Sequence, residues 1–277
     1  MVSIVGLMRF SVITETHKTG YAATRDKSVD EALATILEPT RIENRLRLVE
    51  TMPLASLSAQ TDSDFILNML ISTELQAEYK ARIYALMDRL PYLRVTEIGL
   101  QDDVQDRMGE LIVDGEPTVT FRLDDDDAVG AHHIEDLRAL AIPENDGCFL
   151  SNPDGLYVQP EGDHLAVQEV TYVQNAFGIG YLSSIGETVF HKGKHNESTV
   201  RVATGDRPRA WVRSIHAASD SHEQFMPGSL SIPLVPASYP EFAFIDFESL
   251  KANLSPIKKS GLLKRAAGKA RQIISRP

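Results

Sequence analysis

Cysteine occurs once in the 277 residues, at Cys148, which excludes any intrachain disulfide. That scarcity fits a reducing compartment, and a cytoplasmic location is the expectation. Long hydrophobic runs are missing too, since no stretch reaches the roughly 18 uninterrupted apolar residues of a membrane span. Residues 1–13 (MVSIVGLMRFSVI) come nearest. The stretch is short, Arg9 interrupts it, and neither a basic leader nor a small-residue cleavage site flanks it, so it reads as a buried first strand. Internal repeats and low-complexity segments are absent. Positive charge is scarce over most of the chain. The formal charge is -11, yet residues 251–277 hold eight Lys or Arg and no acid, which leaves about -19 on the first 250. An acidic body repels phosphate backbones and argues against general nucleic-acid binding without a local basic groove. A bound polyanion would need a metal.

The length and ordinary apolar content suit one large α/β domain or two smaller lobes. After the first strand, residues 14–39 read as a loop with one short helix. Thr40 and Glu43 match a capping box and place a helix start there, with Pro53 ending or kinking it at Met52. Phe65–Ile71 (FILNMLI) is a strand covered on both faces. Helical spacing follows from Ala77 to Leu90, then a strand at Leu93–Ile98, a helix over residues 102–113 and a strand at Thr118–Leu123. This β-α alternation predicts an α/β fold with a doubly wound, mostly parallel sheet, which binds ligands beyond the carboxyl ends of its strands. A helix is expected at 132–141. Beyond it the chain is turn-rich, and residues 156–159 and 165–173 are set to pair as a hairpin around "PEGD". The expected outcome is a mixed or antiparallel C-terminal extension of the sheet, with loops over the site.

The strongest chemical signal is the run Asp124, Asp125, Asp126 and Asp127 at the end of the fourth predicted strand. Four adjacent carboxylates repel one another, and a divalent cation is the usual means of holding them together. Mg2+ or Mn2+ fits, because one or two carboxylates leave coordination positions for water and substrate phosphates. In an extended strand Asp124 and Asp126 would face one side, Asp125 and Asp127 the other. One pair would take the metal, and the other would bind a ribose or cap the next helix. The plain alternative is a solvated turn with Asp127 as an N-cap.

The segment "FRLDDDDAV" resembles the aspartate-rich DxD element of GT-A fold glycosyltransferases, and "RLRLVETMPLASLSAQTDSDFILNMLIS" resembles their preceding helix, turn and second strand. Arg9-Phe10, Arg45-Leu46, the acidic run and "AWVRSIH" together resemble a bacterial family of rhamnosyltransferases, over roughly residues 5–220. The resemblance implies a GT-A-like domain over residues 1–250, with a nucleotide-binding half at 1–127 and an acceptor half at 128–250. It also implies a nucleotide-sugar donor, a saccharide or glycoconjugate acceptor, and transfer with inversion. It carries Asp124 and Asp126 to the metal and diphosphate, and His216 to a third protein ligand. The nucleotide-sugar-binding set becomes Arg9, Phe10, Arg45, Arg122, Asp124, Asp125 and Asp126.

Arginine is costly on buried faces unless paired, which singles out Arg9, Arg45 and Arg122. Arg122 would either pair with the acidic run or contact the diphosphate, and Arg9 lies near the end of the first strand. An inverting transfer needs a base, and Glu169 and Asp163 are the candidates. His191 and His195 have zinc-ligand spacing, but Gly193 between them suggests a loop. His132 and His133 would matter most under a second reading, a metal-dependent phosphohydrolase. A third reading is an idle nucleotide or carbohydrate module. Finally, the basic residues 251–277 interleave with Ile257, Leu262, Leu263, Ala266, Ala270, Ile273 and Ile274 as in an amphipathic helix. Such a tail would rest on an anionic membrane surface, dock on the acidic body, or stay unstructured.

Overall fold

The computed structural model describes residues 2–15, 22–112, 115–192, 199–217, 219 and 232–254. Two sheets organise them. The first has seven strands in the order β10-β6-β9-β4-β1-β2-β3, and the second has five in the order β12-β8-β7-β11-β5. In the first sheet β1 (Ser3–Phe10), β2 (Ile66–Ser72), β3 (Leu93–Ile98) and β4 (Thr118–Arg122) run parallel. The near-continuous apolar sequences of β1 and β2 follow from cover on both faces, whereas β3, at the sheet edge, keeps polar Arg94, Thr96 and Glu97. β9 (Gly180–Ser183) then pairs antiparallel with β4, followed by β6 (Phe149–Ser151) and β10 (Val202–Thr204). This is the expected α/β architecture with a mixed extension.

The predicted hairpin forms as β7 (Asp154–Glu161) and β8 (His164–Thr171), antiparallel around Gly162 at φ 63°. It does not extend the first sheet. It builds the second one, with β11 (Trp211–Ser214) parallel to β7 and β5 (Asp127–Val129) antiparallel to β11. Residues 123–126 therefore cross from β4 in one sheet to β5 in the other. β12 (Ile232–Pro233) edges β8.

The helices between β1 and β2 differ in detail from the sequence reading. α1 (Val29–Ile36) has the capping box, Ser28 with Glu31. α2 (Pro39–Thr51) starts one residue before Thr40, because Glu38 caps it by accepting from the Thr40 and Arg41 N–H groups while Pro39 fills the first turn. As expected, Pro53 interrupts the helix: Met52 leaves helical geometry and α3 (Pro53–Ser58) restarts with proline in its first turn. α4 (Ala77–Arg89) and α6 (His133–Leu140) match their predictions closely, whereas α5 (Val104–Gly109) is half as long as expected. Past residue 240, α7 (Phe247–Asn253) runs across the expected boundary at residue 250, and Leu254 after it is buried. The remainder of the basic tail lies outside the described residues.

α2 serves two cores. Ile42, Leu46 and Val49 face the first sheet, while Leu48 and Met52 join Leu156, Val158, Val167, Phe242, Phe247 and Leu250 in the core beneath the second. That double duty pins the helix at the junction of the sheets and aims Arg45 into it. On the far face of the second sheet, Gly155 of β7 lies opposite Trp211 of β11. The indole is buried, stacks near Phe177 and donates to the Asn152 carbonyl. A Cβ at Gly155 would overlap the indole ring. Gly155→Ala should therefore cost about 1–3 kcal/mol of stability through overpacking. Urea denaturation followed by fluorescence of Trp211, the sequence's single tryptophan, measures it.

Candidate functional site

The acidic run sits where β4 ends, beside the end of β1, and three of its four side chains are buried: Asp125 at 6%, Asp126 at 9% and Asp127 at 3% exposure. The run is a turn, closed by the Asp127 N–H donating to the Asp124 carbonyl. The expected extended alternation is lost for that reason. Asp125 and Asp126 instead share one cation: Arg45 Nη1 lies 3.1 Å from Asp125 Oδ1 and 2.6 Å from Asp126 Oδ2. His216 Nε2 lies 3.1 Å from the same Asp126 oxygen. Asp124 turns the other way, to Arg122, which reaches both of its oxygens. Asp127 is the first residue of β5 rather than a helix cap, and its carboxylate accepts from the Ser214 N–H. α6 has His132 at its N-cap position.

Electrostatics restores a two-residue period that the backbone abolishes. Burial alone would raise every one of these carboxyls. At Asp124 burial is the largest single influence, but the charge of Arg122, its hydrogen bonds and the charge of Arg9 together outweigh it and hold the group below the usual carboxylate range. At Asp126 burial is likewise outweighed, by Arg45 and then His216, and the group is held well down. At Asp125 burial wins over Arg45, and the neighbouring Asp126 adds to it, pushing the carboxyl to about 7. Asp127 is raised well above its ordinary value by burial and then by Asp126 and Asp124. At neutral pH the run therefore carries most of its negative charge on Asp124 and Asp126, with Asp125 about half ionised.

Two flanks enclose it. On one, the Arg9 and Arg122 guanidinium groups lie 5.0 Å and 5.6 Å from the centre of the Phe190 ring. Phe190 and Arg213, which stacks 4.8 Å from the Phe177 ring, were not singled out in the sequence. Phe10 is fully buried in the first core and faces no open space. On the other flank a cavity of about 230 Å3 is bordered by Arg45 and His216 together with residues of α2 and α7. Arg41 belongs here, its Nη1 donating to Ser11 Oγ at 2.9 Å and to the Ile36 carbonyl at 3.1 Å. Ser11 directly follows β1 and adopts φ 52°, a left-handed backbone unusual for serine.

Of the three expected metal ligands, Asp126 and His216 meet, while Asp124 is held by Arg122. Among the described residues no three His, Cys, Asp or Glu side chains form a ready-made cation cage. The base candidates lie elsewhere: Glu169 pairs with Arg209 on an exposed stretch of β8, and Asp163 is fully exposed in the hairpin turn beside His164. His132 bonds Glu135 and Thr61, and His191 bonds Thr188. His195 lies outside the described residues. His133 is buried edge-on against Phe121 with Nε2 lacking a partner.

A family model described as "Putative rhamnosyl transferase" matches residues 3–228. The chain belongs to that family. Its acidic run, Arg45 and His216 all fall within the matched span. No curated protein matches the chain. Solved structures similar to it include S. aureus TarS 1-349, alone and in complex with UDP. Both align at 10% identity with a TM-score of 0.43, over 77% and 78% of this chain and 60% and 61% of theirs. A further S. aureus TarS structure aligns at 10% identity and a TM-score of 0.39, over 77% of this chain and 37% of that one. The chain thus spans about three fifths of the length of the first two. Among the described residues no helix is long and apolar enough to cross a membrane.

Two outcomes follow. Arg45→Met leaves Asp125 and Asp126 buried without their shared cation, and should lower unfolding stability by about 3–5 kcal/mol, measured by denaturant titration in metal-free buffer. His133 is pushed down to about 3 by burial, from an ordinary 6.5. A depressed folded-state value means that the unfolded chain takes up the proton first. Stability is therefore undiminished above pH 6.5 and falls by about 1.4 kcal/mol per unit between 6.5 and 3. His133→Phe should remove that component, seen as a stability gap from the wild type that shifts with pH only inside this window.

Proposed function

We propose that this glycosyltransferase moves a sugar from a nucleotide-sugar donor to a hydroxyl of a saccharide or glycoconjugate, with inversion and with the help of Mg2+ or Mn2+. The observation that carries the metal is the 3.1 Å separation of Asp126 Oδ2 and His216 Nε2. Adjacent ligands of an octahedral cation bonded at about 2.1 Å are about 3 Å apart. These two side chains come from positions 90 residues apart and meet at a strand end. Asp126 and His216 would hold the ion, with diphosphate oxygens and water completing its shell. When bound, it supplies Lewis-acid neutralisation of the departing diphosphate.

The chain's own residues do the rest. Arg45 fixes the Asp126 carboxylate, and Asp125, sharing Arg45, is pushed toward its neutral form, which limits repulsion at the site. Arg9 and Arg122 face Phe190 on the opposite flank, which suits the nucleotide side of the donor: two cations for phosphate oxygens and an aromatic face for a base. Asp124 keeps Arg122 oriented there. The hydrolase reading would want His132 or His133 near the acids, but one is engaged by Glu135 and Thr61 and the other packs on Phe121. We further propose a cytoplasmic site of action, with the basic stretch 251–277 contacting an anionic membrane surface.

Thermal-shift assays with UDP, GDP and dTDP, with and without Mn2+, test this reading. One nucleoside diphosphate should raise Tm only when the metal is present. Stabilisation that is indifferent to metal would overturn the metal dependence. Asp126→Asn should abolish the shift and lower kcat by about 100-fold or more. Asp127→Asn, which replaces a carboxyl already pushed toward its neutral form, should retain both to within about tenfold.

A further inference from the structure

The cavity between α2 and α7 has a lining unlike the rest of the site. At about 230 Å3 it is smaller than the about 300–1,000 Å3 of pockets that enclose a whole drug-sized ligand. It is the right order for one ring of a larger substrate. Its position is set by His216 and Arg45, the two groups that grip Asp126, so an occupant would lie against the proposed metal side. None of its eight lining residues is Phe, Tyr or Trp, and its one imidazole, His216, is engaged with Asp126, so the lining offers a nucleobase no large aromatic face. Glu38 at its edge opposes a phosphate.

What the lining does offer is hydroxyl chemistry. Asn44 and Asn253 both border the space, and neither side-chain amide hydrogen-bonds another described residue. A carboxamide presents two donors and an acceptor, the complement of neighbouring hydroxyls that each donate and accept. The Glu38 carboxylate, fixed by the Thr40 and Arg41 N–H groups, keeps acceptor capacity beyond those two bonds. Leu48 adds one apolar patch for the C–H face of a ring.

Asn253 enters from an unexpected place. The family match ends at residue 228, whereas α7 comes after it and is held on α2 by buried Phe247 and Leu250 packed with Leu48 and Met52. One wall of the cavity therefore lies outside the stretch that defines the family. We infer that this cavity holds a single sugar ring and that Asn253, beside Asn44, is a specificity-determining residue for it. The inference rests on the transferase reading above and adds to it the group that selects the sugar. The ring belongs either to the donor's transferred sugar or to the acceptor's terminal unit.

Asn253→Ala and the Asn44→Ala/Asn253→Ala pair test this in the full-length protein. Calorimetry with Mn2+ compares UDP, GDP and dTDP with their glucose, N-acetylglucosamine and rhamnose conjugates. Saturation-transfer NMR follows methyl glycosides of the same sugars with no nucleotide present. The nucleoside diphosphate that binds the wild type should bind Asn253→Ala with unchanged Kd, which also certifies the fold. Against it, the nucleotide sugar should weaken about tenfold if the ring is the donor's, or the methyl glycoside signal should be lost if it is the acceptor's; one hydrogen bond is worth about that factor. Either result upholds the inference. Unchanged binding of both sugar probes in both variants overturns it, as does an equal loss for the bare nucleoside diphosphate. If no nucleoside diphosphate binds the wild type, the donor reading fails by itself, and the glycoside arm still decides the cavity.

Discussion

Burying three aspartates side by side is the constraint around which this molecule is arranged. Removing an ionised carboxylate from water costs several kcal/mol even after relaxation, and placing like charges next to one another adds to the cost. The chain meets it with a single guanidinium shared by Asp125 and Asp126, a second on Asp124, and two carboxyls pushed toward neutrality. Arg45 is the member that cannot be dispensed with, because it is itself buried at 4% exposure and its charge has no solvent to fall back on. Pair and helix thus stabilise each other: the acids require an arginine at that point, and the arginine requires α2 to lie across the junction.

That requirement explains the two-sheet layout. The acidic run is the passage from β4 to β5, so its backbone is tied to the first sheet on one side and the second on the other. His216, just past β11, arrives through pairing of β11 with both β5 and β7. α2 touches both cores, and Pro53 lets the chain turn sharply after Met52 before α3 packs down toward β5. A site built at such a seam is sensitive to shifts in either sheet, and it opens on two flanks of different character. One joins Arg9 and Arg122 to the aromatic face of Phe190; the other sets two amides and a carboxylate beside Arg41, Arg45 and His216.

Local features were legible in the sequence because their causes are local. The parallel strands announce themselves by apolar runs, the Pro53 break by missing N–H chemistry, the hairpin by its turn, and the acidic run by its place after a buried strand. Arg45 and His216 were named through a family likeness, and the geometry brings both to Asp126. The capping box was misplaced because Thr40 and Glu43 share the pattern that Ser28 and Glu31 realise, and only the hydrogen bonds distinguish them. The aspartate alternation failed because it assumes an extended chain, and four repelling carboxylates next to arginines on both sides favour a turn. Phe10 kept its core position because its strand neighbours, not its place beside Arg9, decide which way it faces. Phe190, Arg41 and Asn253 carry no local signal whatever; they reach the site only through tertiary packing.

The last of these has a consequence for how the activity is divided along the chain. Charge management and the two side chains proposed for the metal lie within residues 3–228, which the family model spans, and a change there would strike the buried acids directly. The wall contributed by α7 is anchored by Phe247 and Leu250 in an apolar core, and Asn253 itself hydrogen-bonds none of the acids. Substitution at Asn253 alters hydrogen-bonding groups facing open space, whereas substitution at Arg45 strands two carboxyls. Under the proposed reading, the fold thereby separates the residues that hold the buried charges in place from those that select the sugar.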